Sequence, residues 1–335
     1  MGRPVKQPRQ RQGAGFRIET GCKLVSWKLN GGSKTYRQGN VIFTEKPGLR
    51  HPYMVCGISG WVDGGEAATG SIQYLRRKLG AKRFAEIPID RFLIFQMSGE
   101  LSQRPKIRIE DGILKEHRFP QNRFFYWVNP DADNDLILFL GAEPNLNWEE
   151  YANAILEVAE EFAVSRIYLL GGILDKTPHT REPGISCVCS SHQLKEEMQK
   201  YGVRFSNYQG PGRFGTTLLY ICQKKQIPMV SLTTRATYYP EFNIVIPRNP
   251  KAIRAMVSRL NDMLRLNLDI ADLDGKTEDF ETKLGLLVSR NPELRTYVEE
   301  LEKDFVEVRY EEPLDISADE AVQIAEEFLK RKRGD

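Results

Sequence analysis

Residues 135–141 read Asp-Leu-Ile-Leu-Phe-Leu-Gly, residues 147–150 read Asn-Trp-Glu-Glu, and residues 166–172 read Arg-Ile-Tyr-Leu-Leu-Gly-Gly. The first and last stretches are continuous apolar runs ending in glycine, as strands buried on both faces are. Between them, Asn147 can cap a helix and Glu150 can reach back to it, with the helix running to about Phe162. Strand, helix, strand at this spacing is a βαβ unit with a right-handed crossover. The chain is therefore read as α/β.

The same grammar extends outward. Tyr53 to Ile58 is a buried strand, residues 65–79 a helix with Ala68, Ile72, Leu75 and Leu79 on one stripe, and Arg83 to Ile89 a second strand. Residues 107–114 carry an Asp111-Gly112 hairpin signal, and Phe124 to Val128 form another strand. Downstream, helices are expected over 191–201 and 214–224, and a strand over 228–233. Asn249-Pro250 starts a helix striped by Ile253, Met256, Val257, Leu260, Met263 and Leu264. Residues 270–306 read as wholly helical, and Ser317 with Glu320 as the capping box of a last helix. The expected organisation is a flexible basic tail (1–15), an α/β core (45–250), a helical subdomain (251–306), and a final helix with a basic tail (317–335).

Composition excludes several classes. Among 335 residues, 48 Lys and Arg against 45 Asp and Glu give no mandate for nucleic acid or a membrane surface. No apolar run approaches the roughly 18 residues of a membrane span, and no secretory signal is visible. Five scattered cysteines fit free thiols in a reducing compartment, so the expected location is the cytoplasm.

Three loops, 57–66, 141–147 and 171–182, leave the carboxyl ends of expected parallel strands, where open α/β sheets bind ligands. The first holds Gly57, Trp61, Asp63, Gly64 and Gly65, without dinucleotide-fingerprint spacing. Its acids equally suit a plain helix start. The second supplies Glu143. The third supplies Gly172, His179, Thr180 and Arg181, where His179 could act as acid or base and Arg181 as an anion clamp, or the loop could be tied by ion pairs alone. Gly210 and Gly212 belong to a phosphate-loop mimic with Thr216 in place of the Lys, so nucleotide hydrolysis is not expected. His179, Cys187, Cys189 and His192 are zinc-ligand types at spacings that structural sites do not use, so neither metal nor cofactor is expected. No activated nucleophile is evident.

Five segments in order give a family resemblance. GISGWVDGGEAATG (57–70), LGAEPNLNW (140–148), the glycine pair followed by PHTR (171–181), YQGPGRFG (208–215) and IPMVSLTTRATYY (227–239) resemble the proteasome assembly chaperone 2 family, nearest its bacterial branch, over about residues 45–305. The resemblance implies a three-layer α/β/α core with a mixed, mostly parallel sheet of the phosphorylase/hydrolase-like kind, a small helical appendage, and a homo-oligomer, typically a trimer. It carries over no catalytic residue. Archaeal relatives that act on proteasomes end in a hydrophobic-Tyr-any tail, and this chain ends Arg333-Gly334-Asp335. The expectation is an oligomeric binding protein for itself and other proteins, with neither nucleic acid nor membrane as partner. The alternative is an enzyme of ligase, hydrolase or phosphorylase type acting on a small anionic ligand in the crevice.

Overall fold

The computed structural model describes residues 25–28, 34–96 and 104–305. The expected tails and the final helix lie outside these residues. Four parallel strands form the centre of the sheet: β9 (Leu136–Ala142), β4 (Tyr53–Ser59), β10 (Arg166–Asp175) and β13 (Met229–Thr237), in that spatial order. Antiparallel β8 (Asn122–Trp127), β5 (Lys82–Ile87), β3 (Val41–Phe43), β2 (Lys34–Gln38) and β1 (Val25–Lys28) continue one side. On the other side β11 (Ile185–Cys189) pairs antiparallel with β13 and carries the short edge strand β12 (Arg204–Phe205). The sheet of eleven described strands is thus mixed, with four parallel strands in the middle and one further parallel pair, β11 with β12, at the edge.

Helices cover both faces. On one, α2 (Trp148–Glu161) and α4 (Phe214–Lys224) bury Tyr151, Ile155, Phe214 and Leu218 against Phe139 and Leu169. On the other, α1 (Ala67–Lys78), α3 (His192–Gln199) and α5 (Pro250–Leu264) bury Ile72, Leu75, Met198, Met256 and Leu260 against Val55 and Leu170. α5, read from sequence as the start of a separate subdomain, has its apolar stripe in this core layer. Beyond it, α6 (Ala271–Arg290) and α7 (Pro292–Asp304) build a small cluster of their own around Tyr239.

Local chemistry explains most boundaries. Asn249 accepts from the Ala252 amide at 3.0 Å and Pro250 occupies the first helical position, so α5 starts where expected. Asn291-Pro292 repeats the device: Asn291 accepts from the amides of Glu293 and Leu294, splitting the single expected helix into α6 and α7. Asn147 does not cap α2. It takes a left-handed conformation and its amide donates to Arg91 O at 2.9 Å. β6 (Lys106–Glu110) and β7 (Ile113–Arg118) form a hairpin apart from the main sheet. Asp111 and Gly112 both have positive φ, 50° and 74°, as its two-residue turn requires.

Candidate functional site at the carboxyl edge of the sheet

Glu143, just past β9, is the centre of the crevice. Its carboxylate accepts from the Trp61 amide and from the Phe214 amide, each at 3.0 Å. One side chain thereby ties the β4 loop to the N-terminus of α4, where the helix dipole favours a negative charge. Gly60 permits this: its φ is +136°, and a Cβ there would lie 2.7 Å from Glu143 Cβ. One backbone donor that a phosphate would seek at the start of α4, the Phe214 amide, is already bound to the protein's own carboxylate.

Arg213 fills the floor. Its guanidinium, lowered in pKa by burial, donates to Ser231 Oγ at 3.1 Å and Thr233 Oγ1 at 3.4 Å. The space left between Ile58, Val62, Glu143, Leu169, Arg213 and Phe214 is about 10 Å³, enough for one water at most.

The first loop is stitched to its neighbours. Gly172 N donates to Val62 O at 3.0 Å and Asn249 N to Gly65 O at 2.8 Å. Gly64 and Gly172 let two backbones touch: a Cβ at Gly172 would collide with Gly64 O and lie 2.8 Å from Ala67 Cβ. Gly57 sits under α1, against Ala68 and Ile72. Asp63 caps α1 at a distance, accepting from the amides of Ala68 (2.9 Å) and Thr69 (3.1 Å) and from the Thr69 hydroxyl (2.5 Å). Burial raises its pKa to about 6 against these bonds, which pull it down. Trp61 is 63% exposed and Gly210 and Gly212 lie in the exposed loop before α4.

The third loop goes elsewhere. β10 stops pairing with β4 at Leu170 but follows β13 to Asp175. That extension carries His179 away from the Glu143 crevice. His179 is buried, with its amide and its Nδ1 each 2.9 Å from the Tyr239 hydroxyl. Its carbonyl accepts from Lys251 Nζ at 2.7 Å, and Lys251 pairs with Glu281 of α6. Burial, then Lys251, lowers the imidazole pKa. Thr180 donates to Glu302 of α7, and Arg181 is exposed. The expected single site is therefore two places: Trp61, Asp63, Gly64, Gly65, Glu143 and Gly172 share one, while His179 and Thr180 belong to the seam with α6 and α7.

A roomier cavity, about 470 Å³, opens beside that seam, with Arg204, Arg235, Arg259, Asp175, Glu182 and Phe305 in its walls. Sequence reasoning named none of its arginines, since they come from β12, β13 and α5, and only β13's place beside β11 brings them together. Arg213 was legible only as part of a glycine-rich loop.

The PAC2 family model matches residues 57–288. The chain belongs to the PAC2 family. A PAC2 family protein of Streptomyces avermitilis is 28% identical with a TM-score of 0.63, over 74% of this chain and 99% of that one. A proteasome-assembly chaperone homologue of Mycobacterium tuberculosis is 28% identical with a TM-score of 0.64, over 73% and 99%. An archaeal proteasome activator of Pyrococcus furiosus shares the fold at 21% identity and a TM-score of 0.57, over 74% and 97%. No curated protein matches the chain. Among the described residues no helix is long and apolar enough to cross a membrane.

Proposed function

We propose that this PAC2 family member is a chaperone-like, protein-binding homo-oligomer, with a trimer as the expected form. The observation that carries this reading is the β6–β7 hairpin. Ile107 and Ile109 alternate along β6, and Leu114 lies across from Ile109, so all three share a face. They are 57–58% exposed. The opposite face holds Arg108, Glu110, Glu116 and Arg118 in ion pairs. A two-stranded ribbon is marginal alone and needs its apolar face covered. The hairpin leaves the body between β5 and β8, whose paired ends Ile87 and Asn122 sit at the edge where β9 ends, so it projects from the same edge as Trp61. The nearly filled crevice gives a small ligand little room there. The mycobacterial neighbour, a proteasome-assembly chaperone homologue, supports a protein as partner.

The test is the mass in solution. Light scattering at micromolar concentration is expected to give a multiple of 38.4 kDa. Serine at Ile107, Ile109 and Leu114 together is expected to reduce it to one chain with the circular dichroism unchanged. A wild-type monomer overturns the oligomer, and an unchanged variant overturns the hairpin as its surface.

A second reading, an enzyme or receptor for a small anionic ligand, is supported by the arginine-walled cavity. Arg235, which is ion-paired with Asp175 at 2.7 Å, is its most telling residue. Calorimetric binding of inorganic phosphate that disappears in Arg235→Ala would favour this reading, and heat-silent titration would end it.

A further inference from the structure

Cys187 and Cys189 stand two residues apart on β11, so their side chains leave the same face of the strand. Their sulfurs are 3.6 Å apart. Two residues of extended strand span about 6.6–6.8 Å, the upper end of the Cα separation a disulfide tolerates. Cys187 is buried among Leu194, Met198 and Leu232, while Cys189 is partly exposed. Val188 between them points outward, and the edge strand β12 pairs with β11 only at Ser186 and Cys187. The Cys189 end of β11 is therefore held by β13 on one side, opposite Val230, and has no described strand beside it on the other.

We propose that Cys187 and Cys189 form a redox-reactive dithiol, oxidised to an intrastrand disulfide by hydroperoxides. Exposure and electrostatics together divide the roles. Either sulfur can donate in the contact between them, but Cys189 is the more exposed thiol; that contact and then Arg166 lower its pKa against burial, while Cys187 is raised by the same contact and by its deeper burial. Arg166 is held in place by a two-pronged pair with Glu197 of α3, both contacts 2.7 Å. Cys189 is thus the attacking thiolate and Cys187 the resolving thiol.

In the first step the Cys189 sulfur attacks one peroxide oxygen. An S–O bond forms, the O–O bond breaks, and the departing hydroxide takes up the proton Cys189 had released, giving water. In the second step the Cys187 sulfur attacks the sulfenic sulfur. The S–S bond forms, the S–O bond breaks, and the hydroxyl leaves with the Cys187 proton as a second water. Two thiols and one hydrogen peroxide give one disulfide and two waters. The other buried thiols, Cys56 and Cys222, are raised in pKa by burial and are not expected to compete.

The experiment is peptide mass spectrometry on the folded full-length protein after equimolar hydrogen peroxide and alkylation. Cleavage after Arg181 and Lys195 gives one peptide holding both cysteines. In the wild type it is expected to lose two hydrogens and to accept two alkyl groups only after reduction. In Cys187→Ser, Cys189 is expected to stop at a sulfenic acid trapped by dimedone. Two alkyl groups on the untreated and treated peptide alike overturn the proposal. So does the same further-oxidised Cys189 in wild type and Cys187→Ser, since that would mean Cys187 resolves nothing.

Discussion

The carboxyl edge of the sheet has one filled place and one open one. Around Glu143 the carboxylate is met by the Trp61 and Phe214 amides, and backbone touches backbone at Gly64 and Gly172. Beside β11 and α7 the same edge keeps a cavity of about 470 Å³, where a Cβ built on Gly184 would come no nearer than 3.9 Å to its described neighbour, Arg235 Cδ. The two differ in what glycine is for. In the filled place it allows contact that any side chain would forbid; in the open place it leaves room unused. A glycine-rich loop at a strand end is thus as able to close a crevice as to line one.

Alanine substitution separates the two most sharply. Gly172→Ala drives a methyl group into Gly64 O and is expected to cost about 3 kcal/mol by urea unfolding. Gly184→Ala, which meets nothing closer than ordinary contact, is expected to stay within about 0.5 kcal/mol. Equal costs would erase the distinction.

A middle-sized effect is expected at the seam that carries the third loop. Tyr239→Phe removes the oxygen that accepts the buried His179 amide, and should cost about 2 kcal/mol in the same assay. A neutral result would mean that the loop is held by Lys251 and the ion pairs alone.

The smallest effect is one of pH. Asp63 titrates at about 6 when folded against an ordinary 3.8, so the folded state holds more protons than the unfolded state across that window. Its contribution to stability therefore falls as pH rises from about 4 to 6. Asp63→Asn keeps acceptors for both amides and removes this slope. The melting temperature of the variant relative to wild type should rise across the window and then level off. Parallel curves would place the Asp63 titration near its ordinary value.

The sequence was a better guide to elements than to the site. The β9–α2–β10 unit, the Asp111-Gly112 hairpin and the Asn249-Pro250 start carry their signals locally, in an apolar run, a turn pair and a cap. From sequence alone β10 ends at its glycine pair, because glycines look like loop. They lie inside the strand, Gly172 against the β4 loop and Gly171 against Arg213 and Thr233, and the strand runs on to Asp175. Those three further residues of strand set His179 at the seam beside Tyr239 and Lys251. β2 and β3 are short and mixed in polarity, and only the pairing of β3 with β5 and of β2 with β3 marks them as sheet. The arginine cavity depends on strand order, which no window of sequence contains.

The order in which the chain is made adds a consequence. β11 is synthesised before β13, yet it joins the described sheet only through β13, its other neighbour being the two-residue β12. A chain emerging from the ribosome can pair β4, β9 and β10 while residues 185–205 still have no strand to lie against. Cys187 reaches its core only when residues 229–237 slot between β10 and β11. Parallel pairing over such separations is slow, so the two thiols have an open interval in every newly made chain, and the last central strand closes it.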